Sequence, residues 1–127
     1  MNIRHLLPNE DWPANVPIGV PAASLDHRWC WVAEDSTGPQ GGLLACPMHH
    51  AIFLLRVVVA ARAPKITLLA LLRGSLREAK GAGYNGFITM IEPGKRCGER
   101  LAKLATRIGG LRTTDNFNLV CGSLERL

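Results

Sequence analysis

The chain has 127 residues, enough for one domain around a single core, and its 47% hydrophobic and 20% charged residues exclude a disordered or collagen-like protein. No apolar run approaches the roughly 20 residues of a membrane span, because AIFLLRVVVAA is interrupted by Arg56. Net charge is +5 and unevenly spread: residues 56–112 hold 12 basic and 3 acidic residues (+9), residues 1–55 hold 2 and 5 (−3), and residues 113–127 hold 1 and 2 (−1). The start MNIRHLLPNEDW has no secretory apolar segment, and Cys30, Cys46, Cys97 and Cys121 form no CxxC pair. The expectation is therefore a single domain over 1–127, not secreted, with reduced thiols and no disulfides.

In chain order, Asn2-Ile3-Arg4 suits a short first strand, and Asn9 with the acids after it suits a helix start. Four prolines between Pro8 and Pro21 limit that helix to one or two turns, leaving residues 16–26 irregular or partly helical. Residues 28–34 (RWCWVAE) and 41–46 (GGLLAC) read as an antiparallel hairpin around the turn-forming Asp35-Ser36-Thr37-Gly38-Pro39-Gln40. After a connection at residues 47–50, Ala51 to Ala60 reads as a strand buried on both faces. Residues 61–65 form the loop into a helix whose Ile66, Leu69, Leu72, Leu76 and Ala79 make one apolar stripe, stopped by Gly81 and Gly83. Residues 86–91 are a further strand, 97–108 a basic helix, and 111–114 with 117–121 a closing hairpin.

Strand, helix, strand, helix across residues 51–110 is a βαβα order with a parallel strand pair. The full order resembles the GNAT superfamily of N-acetyltransferases, and three phrases carry the likeness. WVAEDSTGPQGGLLA is similar to the family's second and third strands with their tight turn, REAKGAGYNGFITMI to the end of the central helix and the fifth strand, and LAKLATRIGGL to the final helix. The resemblance implies an α+β fold with a mixed, mostly antiparallel sheet, a central parallel pair and flanking helices. It also implies acetyl-CoA as cofactor, with the backbone of Val57, Val58 and Val59 along the pantetheine.

The family places Arg/Gln-x-x-Gly-x-Gly/Ala after its fourth strand, where glycine amides approach a diphosphate at a helix start. Here the loop is Ala61-Arg62-Ala63-Pro64-Lys65-Ile66-Thr67. With Arg62 in the first position, Lys65 and Thr67 stand where the family has small residues, and Pro64 deletes a donor. Arg62 and Lys65 by charge, and Thr67 by its hydroxyl, are the residues left to hold phosphate. The family's proton-donating Tyr, four residues before the terminal glycine, is replaced by Ala105, with Cys97 and Tyr84 as other acids by type. Glu92, ending the GFITMI strand, is the best-placed carboxylate for a general base, and equally a turn acid before Pro93-Gly94.

Cys46, His49 and His50 are metal-ligand types, but adjacent histidines in an extended segment point to opposite faces, so no metal is expected. The basic half lacks interleaved aromatics and does not point to nucleic acid. Two functions remain open. One is a non-catalytic protein with a degenerate acetyl-CoA site that self-associates or binds other proteins, resembling the small acetyltransferase-like proteins of tailed bacteriophages, in the cytoplasm or in the virion. The other is an active acetyl-CoA-dependent N-acetyltransferase.

Overall fold

A computed structural model of the protein describes residues 1–90, 96–109, 112–114 and 119–125. The strands are β1 (Asn2–His5), β2 (Cys30–Asp35), β3 (Gly38–Met48), β4 (Ala51–Val59), β5 (Gly86–Met90), β6 (Arg112–Thr114) and β7 (Leu119–Ser123). Helix α1 (Thr67–Gly81) joins β4 to β5, helix α2 (Arg96–Gly109) follows β5, and single 3-10 turns cover Ala22–Ser24 and His27–Trp29. Hydrogen-bonded neighbours run β1-β2-β3-β4-β5-β7-β6, with β4 and β5 parallel. This is the mixed α+β architecture expected from the sequence. The chain divides into two compact units, Met1–Ala45 with Arg56–Ser75, and Cys46–Leu55 with Leu76–Leu127.

In the first unit β1, β2 and β3 pair antiparallel, Ile3 opposite Ala33 and Val32 opposite Gly42. Side chains of a strand alternate between faces, so burial of consecutive residues requires cover on both. Cys30 to Ala33 and Gly41 to Ala45 are all buried. On one face Cys30, Val32 and Leu44 cluster with Leu6, Val16, Ile18 and Ala22 of the segment after β1. On the other lies the first half of α1, and adjacent glycines set the approach on both sides. A Cβ at Gly42 would sit 2.7 Å from Val16, and one at Gly41 would sit 2.9 Å from Leu71 and 3.0 Å from Thr67. The glycine pair is thus a place where helix and connecting segment come within backbone distance of the strand.

Arg4 fastens the segment after β1. Its Nη1 and Nη2 donate to the Glu10 carboxylate at 2.7 Å each, and its Nε lies 3.1 Å from Glu34. The Leu7 N–H also donates to Glu10, at 3.0 Å. Those bonds hold the Glu10 carboxyl below the usual carboxylate range, and the two acids raise the Arg4 guanidinium.

In the second unit β4 lies parallel to β5, Ile52 beside Phe87 and Leu54 beside Thr89, and the Thr89 hydroxyl donates to the Leu54 carbonyl at 3.3 Å. Strand β7 flanks β5 antiparallel, and β6 flanks β7. The end of α1 is a Schellman cap: Gly83 takes φ 100°, its N–H donates to Lys80 C=O, and the Tyr84 N–H donates to Ala79 C=O.

Several expectations change at this level. Burial on both faces belongs to β2 and β3; in β4 Ile52 and Leu54 are buried, while Leu55 and Arg56 are exposed. Arg28 and Trp29 sit in a 3-10 turn capped by the Asp26 carboxylate, so β2 starts at Cys30. Pro47 and Met48 extend β3 beyond Leu44, the last residue of β3 paired with β2. Residues 8–21 form turns and no helix.

Candidate functional site

The candidate site is the passage from β4 through the loop into α1. Val57, Val58 and Val59 are the last residues of β4 and half-buried, and Val58 packs on the cluster of Cys30, Val32 and Leu44. The strand finishes with the Ala60 N–H donating to Gln40 C=O at 2.8 Å. Two tight turns follow. The Ala63 N–H returns to Ala60 C=O at 3.0 Å, and the Thr67 N–H returns to Pro64 C=O at 3.0 Å.

Helix α1 opens with the Ala70 N–H donating to Ile66 C=O at 2.9 Å, which makes Ile66 the N-cap. The isoleucine side chain can accept no hydrogen bond, and the residue is 56% exposed. The first-turn N–H groups of Leu68 and Leu69 therefore have no intrahelical partner. Thr67 is buried at 0% exposure with its Oγ1 unpartnered and its methyl against Gly41. Arg62, Pro64 and Lys65 are exposed.

The structure thus brings Val57–Val59, Arg62, Lys65 and Thr67 into one passage, with Thr67 facing inward and the two cations outward. Glu92 lies outside the described residues, as do the side chains of Cys97 and Ala105. Tyr84 is half-buried just past the C-terminal end of α1.

The connection at His49-His50 is a turn in which His49 takes φ 59° and the two rings stack at 5.2 Å, where an extended pair would have pointed apart. Among the described residues, no group of three or more His, Cys, Asp or Glu side chains is placed to hold a metal ion. Cys30, Cys46 and Cys121 are in no disulfide, and burial, helped by the charge of Asp26, pushes the Cys30 thiol up to about 11. No helix among the described residues is long and apolar enough to cross a membrane.

Comparison with solved structures finds the fold of GNAT N-acetyltransferases, with which the βαβα passage and the parallel pair β4–β5 agree. The chain is similar to the ribosomal-protein-S18-alanine N-acetyltransferase of Escherichia coli, with a TM-score of 0.72 at 13% identity over 99% of this chain and 97% of that one. It is also similar to diaminobutyrate acetyltransferase EctA from Paenibacillus lautus, solved with L-2,4-diaminobutyric acid and coenzyme A (TM-score 0.61, 20% identity, 77% of this chain and 72% of that one). A third likeness is to the PaiA N-acetyltransferase of Thermoplasma acidophilum in complex with coenzyme A (TM-score 0.61, 14% identity); it covers 74% of this chain but 59% of that protein's length. At these identities the likeness is one of fold. No protein-family model matches the chain, and no curated protein matches it.

Proposed function

We propose that this is a GNAT-fold protein with a degenerate acetyl-CoA site, serving a non-catalytic binding or structural role as a component of a bacteriophage particle. The observation that carries the reading is the fate of the amides between Ala60 and Thr67. A diphosphate cradle needs several N–H donors converging on one anion. Here the Ala63 and Thr67 N–H groups are turned back onto Ala60 and Pro64, and Pro64 has no N–H to offer. The residues fit a single phosphate at the start of α1 and do not fit a wrapped diphosphate. No chemical step is therefore derived through coenzyme A. Alanine at 105, where the family has its acid, supports the same reading. Self-association or docking onto another protein then rests on the basic half of the chain.

An active acetyl-CoA-dependent N-acetyltransferase is the second reading, and Thr67 favours it. A buried hydroxyl without a partner, in the same helix turn as two open amides, is an uncommon feature that a bound oxygen would satisfy. Arg62 and Lys65 are exposed beside it, and several similar proteins were solved with coenzyme A. In this reading Glu92 is the general base.

Thermal unfolding with coenzyme A separates the two. A ligand at 100 times its Kd stabilises the fold by about 2.7 kcal/mol, several degrees in Tm for a chain of this size. An unchanged Tm at about 1 mM coenzyme A, with native mass measurement giving an oligomer, is the expected result. A clear rise in Tm that Lys65→Glu abolishes would overturn the degenerate-site reading and locate the diphosphate.

A further inference from the structure

Arg56 is the single charged residue in the run from Ala51 to Ala61. Its side chain is exposed, yet it is held: Nη1 donates to the Ile18 carbonyl at 2.9 Å. The turn that receives it has Gly19 at φ 85°, and a Cβ there would stand 3.0 Å from Nη1. Glycine both adopts the dihedral and leaves room for the guanidinium. Among the described residues this is the guanidinium's one hydrogen bond, so its Nε and Nη2 donors are uncommitted.

The other charged side chains of residues 1–56 have partners of their own. Of the three arginines in residues 1–56, Arg4 is paired with Glu10 and Glu34, and Arg28 with Asp26. Asp35 accepts from Thr37 and Gln40, and Asp11 accepts from the Trp12 N–H. Arg56 has no carboxylate partner among the described residues. An arginine stays protonated at all physiological pH, so its charge persists while its donors stand open.

We infer that Arg56, seated on the Ile18–Gly19 turn, is an anion-binding residue whose ligand is the carboxylate of a small molecule. Two adjacent donors on a planar guanidinium match the two oxygens of a carboxylate. A phosphate dianion gathers more than one cation, and this turn supplies one. The inference is independent of whether coenzyme A binds at the start of α1.

The test is a titration of the isotope-labelled full chain with succinate, followed by NMR at the Arg56 Nε–H and the Gly19 and Val20 amides. Inorganic phosphate and sodium chloride at matched ionic strength are run in parallel. Saturable movement of those three signals by succinate, and binding about tenfold weaker or worse in Arg56→Lys, is the expected result. Shifts that grow linearly and equally with chloride would overturn the site, as would movement centred on Arg62 and Lys65 with Arg56 still. Tighter binding of phosphate than of succinate would overturn the carboxylate assignment. The wild-type titration reads Arg56 directly, so the outcome stands even if the variant folds poorly.

Discussion

Gly41→Ala tests whether the start of α1 is placed by the floor beneath it. The new methyl would stand 2.9 Å from Leu71 Cδ1, 2.9 Å from the Val58 carbonyl oxygen and 3.0 Å from Thr67 Cγ2. Leu71 can change rotamer, but the Val58 oxygen is strand backbone and Thr67 is fixed in the first helical turn, so the helix must lift. Overpacking of this kind costs about 1–3 kcal/mol, and two unyielding neighbours place it in the upper half, about 2–3 kcal/mol. For a chain of this length that lowers Tm by about 6–12 °C. Calorimetry gives the number, and hydrogen exchange at residues 68–72 shows whether the loss is localised there. Gly81→Ala is the control, since a Cβ there meets nothing within 4 Å and alanine favours helix; it should hold or raise Tm. If Gly41→Ala melts within about 2 °C of the parent, the contact of β3 with α1 is not the constraint described, and the seat of Thr67 must be set elsewhere.

Two further outcomes follow from named groups. The Glu10 carboxyl is depressed by Arg4, so its contribution is complete above the unfolded pKa and is lost as pH falls through the folded one; between about pH 5 and pH 3, Arg4→Met should show a shallower loss of Tm than the parent. Equal slopes would remove the pair from the stability of the fold. Thr67→Val should raise stability if the orphan hydroxyl is a bare desolvation cost of about 1–3 kcal/mol, and lower it if that hydroxyl holds water or ligand; urea unfolding with and without coenzyme A reads the sign.

Where each element's pattern lay within a few residues, the sequence was a sufficient guide. The stripe of Ile66, Leu69, Leu72, Leu76 and Ala79 with glycines after it marked α1 and its left-handed cap at Gly83, but its first two members miss the core: Ile66 is exposed and Leu69 half-buried, while Leu68 and Leu71 are buried. The apolar GFITM marked β5, and the Asp35–Gly38 turn marked the hairpin. The long-range facts were not visible in this way. Two-sided burial falls on β2 and β3 because a segment of turns, low in any helical or strand period, packs on one face. Nothing local announces that cover. The Gly41-Gly42 pair was the one available signal, since paired glycines inside a strand mark close approach. At the candidate site the absence of glycine in the loop was legible, but the inward turn of Thr67 depends on which face of α1 meets Gly41, which no local pattern dictates.

The two ends of α1 differ, and magnitudes decide what the difference means. The C-terminal end is closed by its Schellman bonds, whereas the N-terminal end opens on an isoleucine that caps nothing. An absent N-cap costs about 1 kcal/mol, while each buried leucine of the first turns, Leu68, Leu71 and Leu72, contributes about 1.5–3 kcal/mol. Burial therefore holds the helix start without a bound anion, and an open terminus by itself argues for no ligand. A coenzyme diphosphate must in addition be stripped of water, and that demands more donors than Leu68, Leu69 and one inward hydroxyl provide. Arg62 and Lys65 can add long-range attraction, but as exposed cations they are screened and worth little each. On the proposed reading, this helix end holds an anion weakly or not at all.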